Sequence, residues 1–141
     1  METIKKVVGV AFIENGRLLI VKSLRSSTTN TWTLVGGGVE VGETPLEAAI
    51  REVGEEIHNG FTINENDLEP VMGFKETAAS DPNVIIEMNI YLCNKEINVH
   101  LTSDDEILEY HWFRLGETEY NVSSSIRDHF LPFAIEKGLI Y

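Results

Sequence analysis

One stretch of the chain carries three independent signals for the start of a helix, and it limits the fold more than any other stretch. Thr44 is a preferred N-cap residue, Pro45 suits the first helical position, and Glu47 completes a capping box. These signals predict a helix from residue 45, with Gly60 as its C-terminal stop. At about 100° per residue, its apolar side chains form one core-facing stripe, which consists of Leu46, Ala49, Ile50, Val53 and Ile57.

A second face of the same helix is acidic. Glu52, Glu55 and Glu56 are neighbours there, because residues three and four positions apart share a helix surface. Like charges at this spacing destabilise an isolated helix, and Arg51 beside them can brace one carboxylate but cannot neutralise three. A solvated acidic face is the plain alternative. A hard divalent cation such as Mg²⁺ is the occupant that this oxygen-rich pattern favours, usually together with substrate phosphates.

The rest of the chain predicts an α+β domain with mixed strand pairing, a single domain over residues 1–141. Asn15 and Gly16 separate two β-rich runs, which is a strong hairpin signal. Residues 25–31 read as a loop, and Gly36, Gly37 and Gly38 let the backbone approach a ligand closely. Strands are predicted at 7–13, 18–24, 32–35, 68–79, 84–94 and 109–113, a turn at 80–83, and a closing helix at 123–137.

Charge and composition exclude several classes of function. The formal net charge is −12, which argues against a long nucleic acid or an anionic membrane as partner. The charge is uneven, since residues 1–36 carry five Lys and Arg against two acids, whereas residues 37–110 carry three against seventeen. Cys93 is the single cysteine, so metal–thiolate sites are excluded. No run approaches the roughly 20 apolar residues of a membrane-spanning helix, and we expect a cytoplasmic location.

The spacing of the glycines, the helix glutamates and Arg51 resembles a known motif. Gly37, Glu43 and the run REVGEE from Arg51 match the Nudix box, Gx5Ex7REUxEExGU with U an aliphatic residue. The segment GGGVEVGETPLEAAIREVGEEIHNGF is therefore similar to the signature of Nudix hydrolases of the MutT-like kind. The helix exit departs from the motif, because His58 and Asn59 come before a glycine that arrives two residues late. Val35 also stands where a proline is common.

The resemblance implies an α/β/α sandwich with a mixed sheet. It also implies Mg²⁺- or Mn²⁺-dependent hydrolysis of a diphosphate bond in a nucleoside diphosphate linked to another group. Carried onto this chain, the metal ligands would be Gly37 through its carbonyl, Glu52, Glu55 and Glu56. Glu43 and Arg51 would orient these glutamates. Glu106 is the outside candidate for the general base or a further metal ligand, with Glu109 second.

The expected partner is a small nucleotide. Arg17, Lys22 and Arg25 lie in the basic part of the chain and are candidates for phosphate contacts, and Trp32 is a candidate for stacking on a base, with Phe74 and Tyr91 as further aromatic candidates. The motifs that mark other substrate subgroups are absent, which leaves a (deoxy)nucleoside triphosphate or a related nucleotide.

Several alternatives remain open at this point. Nucleotide sugars and diphosphoinositol compounds are other substrate classes. A non-catalytic nucleotide-sensing module is the alternative function, although such modules typically lose box glutamates that this chain keeps. An acidic interaction domain is a third reading, and a homodimer is not decided by the sequence.

Overall fold

Seven strands form two sheets in residues 2–78 and 81–141, the part of the chain that the computed structural model describes. The strands are β1 Thr3–Ala11, β2 Ile13–Glu14, β3 Arg17–Ser23, β4 Val35–Gly38, β5 Leu68–Ala78, β6 Asp81–Cys93 and β7 Ile107–Phe113. The helices are α1 Leu24–Ser27, α2 Pro45–Ile57 and α3 Leu131–Glu136; a 3₁₀ turn spans Glu65–Asp67, and a π-helical turn, Ser125–Phe130, leads into α3.

The larger sheet is mixed. Its strand order is β4-β1-β6-β5, with β1 parallel to β6 and the two outer strands antiparallel to their neighbours. The smaller sheet has the order β2-β3-β7 and is antiparallel throughout. The parallel pairing of β1 with β6 requires a long crossover, and α2 lies within it. The predicted mixed pairing is therefore confirmed.

Two hydrophobic cores lie on opposite faces of the sheets. Leu19 and Val21 of β3 point into the core that α2 covers, whereas Leu18 and Ile20 point into the core beneath the π-helical turn and α3. Successive side chains of a strand face opposite sides, so one strand supplies both cores. This layering of helix, sheets and helix confirms the predicted α+β fold class and α/β/α sandwich.

The predicted hairpin forms, but its first strand divides between the two sheets. Asn15 and Gly16 have φ angles of 54° and 74°, as a tight hairpin turn requires. Of the predicted first strand, only the short segment β2 pairs with β3. The rest is β1, which ends at Ala11 and belongs to the larger sheet. Phe12 lies at the division, is 1% exposed, and accepts a hydrogen bond from the Leu19 N–H at 2.9 Å. The buried Phe12 side chain therefore marks where the chain changes sheet.

Other boundaries shift by a few residues. The three glycines predicted to follow a strand are themselves part of β4, and the helical turn α1 replaces the start of the predicted loop 25–31. Ala78 already pairs with Asp81, so residues 81–83 of the predicted turn belong to β6. Ala79 and Ser80 lie outside the described residues. No helix in the described ranges combines the length and apolar character needed to cross a membrane.

Candidate active site

The start of α2 is built as the sequence predicts. The Thr44 hydroxyl accepts a hydrogen bond from the Glu47 N–H at 3.1 Å, and the Glu47 carboxylate accepts one from the Thr44 N–H at 2.9 Å. Two backbone donors at the helix start are thereby satisfied reciprocally. The helix then buries its apolar side against β4 and β1 through Ala48, Ala49, Val53 and Ile57. Because this side is fixed, the acidic face is directed toward the glycines of β4.

The glycines of β4 make room for two carboxylates of α2. A Cβ atom placed on Gly37 would lie 2.5 Å from Glu52 Oε1, which is closer than atoms can approach. The Gly36 N–H donates a hydrogen bond of 3.2 Å to Glu56 Oε2. Any side chain at position 37 would push the Glu52 carboxylate away from the strand. The glycines thus allow helix carboxylates and strand backbone to meet.

Glu56 is buried, which the helical projection did not predict. Its exposed fraction is 7%. Among the described residues, it is the charged side chain that is classed as buried. Burial raises the pKa of Glu56 well above its usual range, and the adjoining Glu52 carboxylate raises it further. Two neighbouring carboxylates in a poorly solvated place are costly unless a cation accompanies them. The oxygen donors present, including the backbone of the glycine strand, suit Mg²⁺ or Mn²⁺.

Arg51 holds the acidic residues together. Its guanidinium donates two hydrogen bonds to Glu43, of 2.8 and 3.0 Å, and others to Glu52 at 2.9 Å and Glu55 at 3.2 Å. A further bond of 2.9 Å reaches the Gly38 carbonyl. The predicted bracing of one glutamate is therefore too modest, since Arg51 donates hydrogen bonds to three glutamates and to the glycine strand, and its Nη1 atom also lies 3.7 Å from Glu40.

The Glu43–Arg51 pair is the strongest part of this network by geometry. The Arg51 guanidinium, with help from the Glu40 N–H, lowers the pKa of Glu43 to about 2. The Glu43 carboxylate in turn raises the pKa of Arg51. A two-pronged contact between a guanidinium and a carboxylate fixes the orientation of both groups. Glu43 and Arg51 therefore orient each other, and their role in positioning metal ligands stays a prediction.

Glu55 is turned toward Arg51 and is more open to solvent than Glu52. Its side chain is 53% exposed, compared with 14% for Glu52. As the side chains are placed, the described residues contain no group of three His, Cys, Asp or Glu side chains at metal-binding spacing. Arg51 holds one oxygen each of Glu52 and Glu55. A cation bound by all three glutamates would take over those oxygens.

Glu106 lies on the loop that leads into β7. Its backbone N–H donates to Asp104 Oδ1 at 2.8 Å, and its carbonyl accepts from the Leu24 N–H at 2.7 Å. The side chain is exposed, and no described hydrogen bond joins its carboxylate to the helix glutamates. The Tyr110 hydroxyl, on β7 itself, donates to the Glu56 carbonyl. Glu106 is thus on a segment that contacts the end of α2, and its catalytic role stays a prediction.

The basic residues of the first third do not form one cluster. Arg17 lies on the same face of β3 as Leu19, whereas Lys22 shares the face of Ile20. Five residues of strand also separate them by roughly 16 Å. Arg17 lines a cleft of about 550 Å³ together with Glu109 and Trp112. Lys22 donates to Asn30 Oδ1 at 2.6 Å, and Arg25 is exposed on α1.

Trp32 is part of the second core. It is 7% exposed, and its ring meets the rings of Tyr120 and His111 edge to face, at centroid distances of 5.3 and 6.3 Å. The Lys22 ammonium lies 5.6 Å from the Trp32 ring centroid. Its stacking against a nucleobase stays a prediction, as does that of Tyr91, which is 8% exposed.

One polar cluster was missed by the sequence analysis. The Phe74 ring stacks on the His129 ring at 3.6 Å, and Glu76 accepts a hydrogen bond from the Ser124 hydroxyl at 2.7 Å. The Glu76 carboxylate also lies 3.2 Å from His129 Nε2. Phe74 and Glu76 share a face of β5 by the two-residue period. No sequence signal pairs that face with Ser124 and His129, because their spacing follows a π-helical turn.

The glycine strand, the capped helix and its carboxylates form a loop–helix arrangement within residues 35–57. The family profile described as NUDIX domain matches residues 3–132. The chain belongs to the Nudix family. A "MutT-like protein" of Streptomyces ambofaciens is 33% identical over 99 residues, 70% of this chain and 56% of that protein. The chain thus spans about half the length of the curated relative that it matches.

Solved structures show the same fold at low sequence identity. A MutT Nudix hydrolase from Burkholderia pseudomallei is 21% identical, with a TM-score of 0.72 over 96% of this chain and 98% of that one. A MutT protein from Methanosarcina mazei Go1 is 24% identical, with a TM-score of 0.69 and 96% of each chain covered. At these identities the likeness supports the fold, and the chemistry has to be argued from the site.

Proposed function

We propose that the chain is a pyrophosphohydrolase that uses Mg²⁺ or Mn²⁺ to cleave a diphosphate bond in a nucleoside diphosphate linked to another group. Membership of the Nudix family indicates this class of reaction. The observation that carries the proposal is the buried Glu56 carboxylate beside Glu52, packed against glycine backbone. This pair is costly by itself and becomes favourable when a divalent cation joins it.

Glu52, Glu55, Glu56 and the carbonyl of Gly37 would hold the cation. When bound, a divalent ion neutralises diphosphate charge and lowers the pKa of a bound water that attacks phosphorus. Glu56 is the most buried of these groups, and the Gly36 N–H fixes one of its oxygens. Glu52 packs against the strand where position 37 lacks a side chain. Both carboxylates are therefore pre-positioned by packing.

Arg51 and Glu43 would position the ligands rather than bind the cation. Arg51 reaches Glu52 and Glu55 with the same Nη1 atom, while Glu43 holds the other edge of the guanidinium. Residues behind metal ligands typically matter 10- to 100-fold for affinity or activity. Glu106 is the candidate general base, since it directly precedes β7, whose Tyr110 contacts the end of α2.

The substrate proposed is a small nucleotide, with a nucleoside triphosphate as first choice. Arg25 is the best-placed cation for its phosphates, because α1 begins at Leu24, whose N–H bonds to the Glu106 carbonyl. Lys22 precedes α1 on the same segment, whereas Arg17 lies at the opposite end of β3. A net charge of −12 disfavours a long polyanion but not a diphosphate that arrives with a divalent ion.

A substrate panel with Mg²⁺ and Mn²⁺ tests the proposal. The panel covers nucleoside triphosphates and their oxidised forms, ADP-ribose, diadenosine polyphosphates, nucleotide sugars and diphosphoinositol compounds. We expect metal-dependent release of phosphate or pyrophosphate from at least one class, and its loss in Glu55→Gln but not in Glu136→Gln, an exposed glutamate of α3. Tight nucleotide binding without turnover of any substrate would instead favour the sensing module.

A further inference from the structure

The exit of α2 has an unusual backbone. His58, Asn59 and Gly60 have consecutive positive φ angles of 63°, 55° and 81°. Residues with a side chain seldom adopt this conformation, although Asn and His do so more often than most, and contacts with the surroundings help to hold His58 and Asn59 in it. These are also the two residues by which the helix exit exceeds the box pattern. We call them the exit clasp.

The exit clasp contacts the loop before β7 in two places. His58 Nε2 lies 2.7 Å from Asp104 Oδ2, a close polar approach in which the buried nitrogen forms no hydrogen bond of normal geometry with a described residue. The Asn59 side-chain amide donates to the His100 carbonyl at 2.7 Å and to the Thr102 hydroxyl at 3.0 Å. These two hydrogen bonds join Asn59 to residues that lie more than forty positions later in the sequence.

Asp104 extends the contact to Glu106. Its Oδ2 atom faces His58, while its Oδ1 atom accepts hydrogen bonds from the N–H groups of Glu106 and Ile107 at 2.8 and 2.6 Å. One carboxylate thus joins the exit of α2 to the backbone of Glu106. Tyr110 provides a parallel connection, since its hydroxyl donates to the carbonyl of Glu56.

We propose that the exit clasp positions Glu106 relative to the carboxylates of α2, so that His58 and Asn59 are positioning residues for hydrolysis. This inference rests on the proposed function. A group that moves a proton must be held closely in place, and a loop residue needs support from outside the loop. His58 and Asn59 supply that support from the helix that carries Glu52 and Glu56.

Hydrogen exchange tests the structural half of the proposal without an activity assay. Asn59→Gly keeps the backbone conformation and removes the amide, and His58→Leu removes the contact with Asp104. We expect the Glu106 and Ile107 amides to exchange at least about tenfold faster in both variants, because their loop opens more often. His58→Gln, which keeps a polar side chain beside Asp104, should slow exchange relative to His58→Leu. Unchanged exchange in Asn59→Gly and His58→Leu would overturn the proposal.

Lys95→Met is the matched control. The Lys95 ammonium donates to the Thr62 carbonyl at 2.6 Å, so it also tethers the segment after α2 to the chain before β7. It makes no described hydrogen bond to the loop of Glu106. We expect exchange at Glu106 to be unchanged in this variant. Acceleration as large as in Asn59→Gly would show general loosening and overturn the clasp.

Kinetics with the substrate found in the panel tests the functional half. We expect Asn59→Gly to lower kcat by about 10- to 100-fold with little change in KM, as displacement of a proton-transfer group does. In a Glu106→Gln background, Asn59→Gly should cause no further loss, because both changes act through one group. Equal losses in the two backgrounds would overturn the positioning role, as would a wild-type kcat in Glu106→Gln alone.

The two proposals fail in different ways. If the wild-type protein hydrolyses no member of the panel, the proposed function and the positioning role in hydrolysis both fall, and exchange still decides whether the clasp holds the loop. If the wild-type protein is active and exchange at Glu106 does not change in the clasp variants, the clasp alone is refuted.

Discussion

Helix α2 and the closing segment, which is the π-helical turn Ser125–Phe130 followed by α3, cover opposite faces of the sheets in different ways. The thirteen residues of α2 form a regular helix with a reciprocal cap at Thr44. The closing segment has no side-chain cap, and the hydroxyl of Ser124 bonds to Glu76 of β5 instead. Local sequence thus defines the first element, whereas contact with a distant strand defines the second.

The buried faces of the two elements differ as well. The closing segment buries Ile126, Phe130 and Ala134, all apolar, whereas α2 buries Glu56 among its apolar residues. A buried carboxylate has a cost that apolar packing does not explain. The closing segment thus buries only apolar side chains, while α2 keeps a costly buried group for which we propose metal binding.

The largest expected effect is at Glu56. Glu56→Gln should fold, because the amide oxygen can still accept the Gly36 N–H, but hydrolysis should fall by at least about 100-fold, more than for residues that only support ligands. Mg²⁺ should raise the Tm of the wild-type protein, since it binds the folded state, and this rise should vanish in the variant. Thermal unfolding with increasing Mg²⁺ measures it. A retained rise would exclude Glu56 as a ligand.

Shortening a buried isoleucine in either core should lower the free energy of unfolding by a similar amount. The two changes should differ in their effect on metal binding. Ile57 and Ile126 are both fully buried, so each change to Ala should lower the free energy of unfolding by about 2–5 kcal/mol. Ile126→Ala should keep the Mg²⁺-dependent rise in Tm, whereas Ile57→Ala should reduce it, because Ile57 follows Glu56. Ile135→Ala, at a site 51% exposed, is the control for chemical denaturation. Equal loss of the Tm rise in both variants would remove the distinction between the faces.

A smaller effect is expected at Arg51. Arg51→Lys keeps the charge but cannot hold Glu43 from two directions while also reaching Glu52 and the Gly38 carbonyl. We expect kcat/KM to fall by about 10- to 100-fold, as for other residues that orient metal ligands. Arg127→Lys, whose pair with Asp128 is exposed, should leave steady-state kinetics unchanged. Wild-type kinetics in Arg51→Lys would show that charge alone suffices.

The smallest effect concerns the helix starts. Thr44→Ala should lower the free energy of unfolding by about 0.5–2 kcal/mol, because it removes a cap. Ser125→Ala, at the start of the closing segment, should change it by less than about 0.5 kcal/mol, since no cap bond is lost there. Urea unfolding of both variants measures the difference. Equal destabilisation would contradict the contrast between a locally capped and an uncapped helix.

Much of the candidate site could be predicted from the sequence because its signals are local. The cap at Thr44 and the apolar stripe through Val53 and Ile57 fix which side of α2 is buried, and the spacing of the glutamates then follows from helix geometry. The burial of Glu56 could not be predicted in the same way. It depends on how closely β4 approaches, and that distance is set by pairing with β1.

The sequence pattern could not predict where residues lie when their position depends on how distant elements pack. Arg17 and Lys22 are close in the chain and share a sign, yet by strand alternation they lie on opposite faces of β3. The change of sheet at Phe12 and the bridge from Asn59 to Thr102 likewise join residues with no common local signal. Each of them depends on packing between elements that are distant in sequence.

By itself, the sequence determined the capped helix, its acidic face, the hairpin turn at Asn15 and Gly16 and the α+β class, because these follow from interactions within a few residues. Only the tertiary structure decided that Glu56 is buried beside Glu52, that Arg51 holds three glutamates, and that the exit of α2 contacts the loop of Glu106. The physical reason is that burial and long-range hydrogen bonds depend on how the sheets pack, and not on any single segment.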